Sequence, residues 1–360
     1  MSLSNSLRLA VLLGVCGALM GCDAGSEPSS DLSSGAVPQE AVDSAARADD
    51  GGRDSRPAVD EPEWTGAAPE TSPEESGTEE AGDIEPPEEP SLADQPVQTG
   101  PLGGLRPAPV TLPDNYDPSV SWPLVMLLHG YSASGFIQDY YLGISERVDS
   151  GGFIFVLPDG TVDSEGKQFW NAVPGCCNWD GSPVDDAGYL VGLLEEAMAR
   201  YNVDTSRVVL VGHSNGGYMS HRLACDRADL ITGIASIAGT SYDDMDTQCA
   251  AEAPVSVLQI HGTLDTTVAY DVPFAGVGAE ETAAWWSARN DCGPAPEAPS
   301  EDYDAMVLGA ETEVTLATEC ASETAVALWK MNGTGHIPIF SDDFIDDVLA
   351  FLLEHPRAAP

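Results

Sequence analysis

The chain has 360 residues, with 59 acidic against 14 basic side chains and a formal net charge of −45. A surface this negative repels nucleic acid and anionic lipid heads, so it excludes DNA, RNA and membrane-surface binding and points to a neutral partner. The length would allow two domains, although α/β folds often run past about 200 residues as one.

Residues 1–22 read as an export signal. One basic residue, Arg8, precedes an apolar run from Leu9 to Met20 that is too short for a membrane span. The run ends Leu19-Met20-Gly21-Cys22, which resembles a bacterial lipobox. Cys22 is therefore expected to carry a lipid, the one membrane contact expected. Ordinary signal cleavage and free secretion is the alternative, since Met20 stands where a small residue is usual. Residues 23–100 hold 21 acidic and three basic side chains and a single aromatic, Trp64. Such a segment buries too little apolar surface to offset its ordering entropy, and a disordered acidic tether is expected. The catalytic domain is expected over 101–360.

From there the chain alternates strand and helix signals. Leu124–Leu128, Phe153–Leu157, Val208–Val211, Ile231–Ile237, Val255–Ile260 and Ala325–Trp329 are continuous apolar runs. Runs apolar on both faces belong to a central sheet covered by helices. Helical patterns fall at Ala187–Tyr201, Asn215–Ala224, Glu280–Arg289 and Asp342–Leu353. The alternation predicts a mostly parallel sheet with helices on both faces and reactive groups at the carboxyl ends of its strands. Asp185-Asp186 are expected to cap a helix, where a carboxylate meets the positive end of the dipole.

Six cysteines lie beyond residue 22: Cys176, Cys177, Cys225, Cys249, Cys292 and Cys320. An even number in an exported chain reads as disulfides. Cys292 with Cys320 is the expected first pair. Cys176 and Cys177, being adjacent, are expected to pair not with each other but each with Cys225 or Cys249. No C-x-x-C pair or histidine cluster supports a metal site.

The reactive chemistry centres on Gly212-His213-Ser214-Asn215-Gly216-Gly217, which follows one apolar strand and opens a helix. This is the context of the nucleophile elbow of an α/β-hydrolase, whose turn leaves room for almost no side chain two residues either side of the serine. A serine needs a base to take its proton, and the base needs a carboxylate to hold it. In the chain order of this fold, Asp265 in the loop after one strand and His336 in the glycine-rich loop after the last strand supply them. His129 and His261 follow strands in His-Gly steps and are expected to shape loops. The oxyanion donors are expected to be the backbone N–H groups of Asn215 and Tyr131. Trp170, Tyr131 and His213 are the expected substrate contacts. No metal or cofactor is needed.

Several motifs occur in order: Leu128-His129-Gly130-Tyr131, Leu157-Pro158-Asp159-Gly160, Phe169-Trp170-Asn171, Cys176-Cys177, Val184-Asp185-Asp186, the serine motif, His261-Gly262-Thr263-Leu264-Asp265 and Gly335-His336. Together they resemble the secreted esterases grouped as polyhydroxybutyrate depolymerase-like and feruloyl or acetylxylan esterases. The resemblance covers about residues 101–355. It implies an α/β-hydrolase fold without a large lid, the same triad, and a neutral, polymeric ester substrate. It implies feruloyl or acetyl esters on plant-type polysaccharide, with polyhydroxyalkanoate chains as an alternative. A silent carbohydrate-binding protein is the reading from another class. Members often carry Trp directly after the reactive histidine, whereas this chain has Ile337.

Overall fold

A computed structural model describes Leu92 and residues 96–358. The leader, Cys22 and all but the last few residues of the acidic segment lie outside the described residues. Among the described residues no helix is long and apolar enough to cross a membrane.

In chain order the elements are β1 (Val110–Thr111), β2 (Trp122–Leu128), α1 (Gly135–Leu142), α2 (Val148–Gly151), β3 (Ile154–Val156), β4 (Thr161–Val162), β5 (Gln168–Phe169) and α3 (Asp186–Arg200). There follow β6 (Val203–His213), α4 (Asn215–Asp226), β7 (Gly233–Ile237), α5 (Met245–Gln248), β8 (Ser256–Gly262), α6 (Ala279–Arg289), β9 (Thr312–Ala317), β10 (Val326–Met331) and α7 (Phe344–Glu354). Eight strands form one sheet in the order β1-β3-β2-β6-β7-β8-β10-β9. The six inner strands run parallel. The two edge strands, β1 and β9, are antiparallel to their neighbours.

The apolar runs became the inner strands because their residues alternate between two cores. Leu124, Met126, Val208, Leu210, Ile234 and Val257 face a core shared with α3, α4 and Trp286. Val125, Leu127, Val209, Val211, Ala235, Leu258 and Ile260 face a second core under α2 and α7. Each fully buried Leu, Ile or Val contributes about 1.5–3 kcal/mol. The mostly parallel sheet covered on both faces agrees with the α/β-hydrolase fold expected above, and the described residues include no separate lid domain.

Some elements carried no periodic signal. β6 begins five residues before the apolar run, in the polar stretch Val203–Arg207. α1 arises without such a signal, because Ser134 Oγ accepts the Ile137 N–H and Gly143 ends the helix in the left-handed region at φ 72°. β9 is an edge strand with partly exposed side chains. Asp185 caps α3 by accepting the Gly188 N–H. Asp186, expected to cap as well, spends its carboxylate elsewhere: fully buried, it takes Arg106 Nη1 at 2.6 Å, Thr161 Oγ1 at 2.9 Å and the Asn171 N–H at 2.8 Å.

The disulfides correct one expectation. Cys292 pairs with Cys320 as anticipated, but Cys176 and Cys177 pair with each other, and Cys225 pairs with Cys249. The reason is packing. The last turn of α4 lies against the end of α5, with the Cα atoms of Cys225 and Cys249 4.8 Å apart, so those two thiols satisfy one another. The peptide between Cys176 and Cys177 is cis, which leaves their Cα atoms 3.0 Å apart.

The Cys225–Cys249 bond closes a loop with a sequence separation of 24. Replacing both by Ala is expected to remove about 3 kcal/mol of stability through the chain entropy of the unfolded state. Guanidinium unfolding reads this as a lower midpoint; an unchanged midpoint would show that the bond contributes nothing.

Candidate active site

β6 turns into α4 within one residue. Ser214 sits at that turn with φ 53° and ψ −118°, a conformation that costs a non-glycine residue energy and persists only when its surroundings impose it. The surroundings do so. A methyl group on Gly216 would meet the Leu128 carbonyl, and one on Gly212 would meet the Gly216 carbonyl. The Ser214 N–H is held by the Ile237 carbonyl at 2.7 Å, and its own carbonyl accepts the Tyr218 N–H at 3.1 Å. The hydroxyl therefore stands at the helix N-terminus, beside the ends of β2 and β7.

Two loops from neighbouring strands meet that hydroxyl. β8 and β10 pair in register up to Gly262 opposite Met331, so the following loops start side by side. They are then stitched together: the Thr263 N–H bonds the Met331 carbonyl at 2.9 Å and the Leu264 N–H bonds the Thr334 carbonyl at 2.9 Å. The result places His336 Nδ1 2.6 Å from Asp265 Oδ2 and His336 Nε2 3.0 Å from Ser214 Oγ. A carboxylate can only accept, so Nδ1 carries the hydrogen and Nε2 is free to accept the serine proton. Asp265 is buried, which by itself raises its pKa. Hydrogen bonds from His261 and His336 and from backbone outweigh that and hold the carboxyl well below the usual range. Its other oxygen takes the N–H groups of Thr267 and Val268, both at 2.8 Å.

The expected oxyanion donors lie close by. Leu128 pairs with Gly212, so the chain after β2 passes the elbow. A methyl group on Gly130 would lie 3.4 Å from Ser214 Cβ. Among the described residues no acceptor takes the backbone N–H of Asn215 or of Tyr131. The first N–H groups of a helix lack internal partners and suit developing negative charge.

Two expected substrate contacts lie elsewhere. Trp170 is fully buried. It clamps the Asn215 side chain, its N–H donating to Oδ1 at 2.7 Å and its carbonyl accepting from Nδ2 at 2.9 Å, while its indole donates to the His129 carbonyl. It thus supports the helix start from behind, because a large ring with one donor is well matched to a dry pocket holding a carbonyl. His213 is also buried, and its Nε2–H donates to the His336 carbonyl at 3.1 Å. It steadies the His336 loop instead of facing a substrate. Tyr131 is half-buried and donates to Asp163 Oδ2 at 2.6 Å. His129 shapes a loop, its Nδ1–H donating to the Gly130 carbonyl and its Nε2 accepting the Gly160 N–H.

Two aromatic residues without any periodic signal extend outward from Tyr131. Trp179 is 58% exposed and Phe274 is 53% exposed. Their rings lie 6.0 Å apart, and Trp179 stands edge-on to Tyr131 at 6.4 Å. The only sequence cue was their position in polar or Gly/Pro-flanked loops, where a bare aromatic has no core to join. Ile337, next to His336, is 39% exposed. Among the described residues no group of three or more His, Cys, Asp or Glu side chains could hold a metal ion.

Burial keeps three histidines neutral: it lowers His129 and His221 to about 4 and, with the nearby His336, lowers His213 to about 3. The unfolded chain binds these protons near pH 6.5 and the fold excludes them. Their contribution is complete above that pH and is lost as pH falls towards 4. His129→Gln, which keeps one donor and one acceptor, is expected to make stability near pH 5 less pH-dependent by about 1.4 kcal/mol per unit. Chemical unfolding at several pH values reads the slope; parallel slopes would show that His129 titrates alike in both states.

The family described as phospholipase/carboxylesterase matches residues 183–293. Among curated proteins the chain is 25% identical to feruloyl esterase B of Piromyces equi over 63% of this chain and 42% of that one. It is 31% identical to feruloyl esterase D of Neurospora crassa over 48% of this chain and 57% of that one. It is 27% identical to a bifunctional acetylxylan esterase/xylanase of Neocallimastix patriciarum over 47% of this chain and 22% of that one. The chain thus spans less than two thirds of the length of these relatives. Of solved structures, the acetyl xylan esterase from Aspergillus awamori superposes with a TM-score of 0.51 at 14% identity, covering 68% of this chain and 93% of that one. The shared architecture is the α/β-hydrolase fold.

Proposed function

We propose that the protein is a serine carboxylic ester hydrolase working through an acyl-enzyme. The observation that carries this is the unbroken line from Ser214 Oγ through His336 to Asp265 at 3.0 and 2.6 Å. Ser214 Oγ bonds the ester carbonyl carbon while its proton passes to His336 Nε2. The charge gathered on the carbonyl oxygen is held by the Asn215 and Tyr131 N–H groups, each donor contributing about 3 kcal/mol in such sites. Collapse breaks the bond to the alcohol, which takes the proton from His336. Water then attacks the acyl carbon with His336 as base, and the acid leaves as Ser214 regains its proton. Asp265 keeps the imidazole in one tautomer and stabilises its charged form.

The substrate is a neutral ester. Asp163, which holds Tyr131, and Asp180, which holds Ser164, put negative charge around Tyr131. The relatives named feruloyl and acetylxylan esterases support esters on plant-type polysaccharide. Trp179 and Phe274 favour the feruloyl member of that pair, since exposed rings give a planar acyl group a face to stack on. Residues 1–22 direct export, Cys22 anchors the chain through a lipid, and 23–100 tether the catalytic domain of 101–360. The three disulfides among the described residues are in keeping with an oxidising compartment.

Ser214→Ala is expected to lower kcat for p-nitrophenyl acetate by about 10⁴-fold or more and to abolish labelling by a fluorophosphonate probe. Near wild-type turnover in that variant would end the mechanism, and a wild-type protein that stays unlabelled would mark a silent binder. Trp179→Ala and Phe274→Ala are each expected to cut kcat/KM for methyl ferulate about five- to tenfold. The acetate ester should change less than about twofold. Equal losses on both esters would assign the rings to structure.

A further inference from the structure

Asp265 has a second imidazole beside it. His261 Nε2 lies 3.4 Å from the same Oδ2 that binds His336, while its hydrogen goes to the Val268 carbonyl at 2.8 Å. The His261 ring and the carboxylate are buried, and the His336 side chain is only 10% exposed. A carbonyl cannot donate, so the Val268 contact fixes the hydrogen of His261 on Nε2 and leaves Nδ1 to accept.

The acceptor at Nδ1 is met by a chain reaching across the fold. Gln259 Nε2 lies 3.4 Å from His261 Nδ1 and donates to the Gly239 carbonyl at 2.7 Å. The Gln259 oxygen takes His221 Nε2–H at 3.0 Å, and His221 Nδ1 takes the indole N–H of Trp286 at 3.1 Å. Every hydrogen in the series points the same way, from α6 through α4 and β8 to Asp265. Reversing any one would set two donors or two acceptors against each other. In a dry interior such aligned bonds polarise one another. Gln259 and His261 share one face of β8 because they are two residues apart. Gln259 also reaches the elbow: a methyl group on Gly239, whose carbonyl it holds, would meet the Ser214 carbonyl.

We propose that His261 is a positioning residue that fixes the orientation of the Asp265 carboxylate for His336, with Gln259, His221 and Trp286 locking its ring. Satisfying buried polar groups would require only the Val268 bond. His261 flanks the oxygen that binds His336 and also holds the carbonyl of Val268, whose N–H bonds the other oxygen, so it braces the carboxylate from both ends. The inference rests on the triad proposed above.

The test is a mutant cycle with p-nitrophenyl acetate. His261→Phe keeps the volume and removes both nitrogens. It is expected to lower kcat at least about tenfold with KM within about twofold, and to cost less than about twofold on top of Asp265→Asn. His261→Gln, which restores a donor, is expected to recover most of the loss. Equal losses with and without Asp265→Asn, or no loss at all, would overturn the proposal. A readout independent of turnover is the low-field proton resonance of His336 Nδ1–H in the resting protein. It is expected to move in His261→Phe and to return in His261→Gln; a resonance that stays put overturns the proposal even if the wild type hydrolyses no ester. If His261→Phe does not fold by circular dichroism, Gln259→Met, which frees the ring of its partner, is read by the same two outcomes.

Discussion

The approach of four glycines to neighbouring backbone is the constraint on which the site depends. Gly212, Gly216, Gly217 and Gly239 leave no space for a Cβ between the ends of β2, β6 and β7 and the start of α4. Only because that space is empty can a strand pass into a helix across one residue. Only then does Ser214 take its strained backbone and present a hydroxyl rather than bury it. The strain is offset by the two hydrogen bonds that pin the serine backbone and by the cores on both sides of the sheet.

The sheet supplies the remaining geometry. Parallel neighbours end on the same edge, so the loops that follow β2, β8 and β10 gather around the elbow. The in-register pairing of β8 with β10 is what makes residues 71 apart in the chain bond at 2.6 Å. A one-residue slip would turn the strand's apolar faces over as well as moving His336, which couples the site to the stability of the core.

Much of the polar burial serves that arrangement. His129, His213 and His221 are kept neutral by their surroundings, each with its ring spent on a backbone or side-chain partner. Trp170 holds the Asn215 side chain on one side of the elbow while Gln259 holds the strand end on the other. These contacts hold the elbow and its neighbouring loops in place.

The six inner strands, four of the main helices and the order of Ser214, Asp265 and His336 were legible in the amino-acid sequence. Local pattern specifies them: continuous apolar runs suit a strand covered on both faces, and glycine spacing around a serine suits one tight turn. The pairing of Cys176 with Cys177, the burial of Trp170 and His213, and the meeting of the exposed rings of Trp179 and Phe274 were decided only by tertiary structure. Each depends on which loops pack against which, and residues distant in the chain leave no period that announces their contact. The line from Trp286 to Asp265 is of the same kind: its members belong to three elements and the loop after β8, and only the stacking of α4 and α6 on β8 brings their hydrogens into one direction.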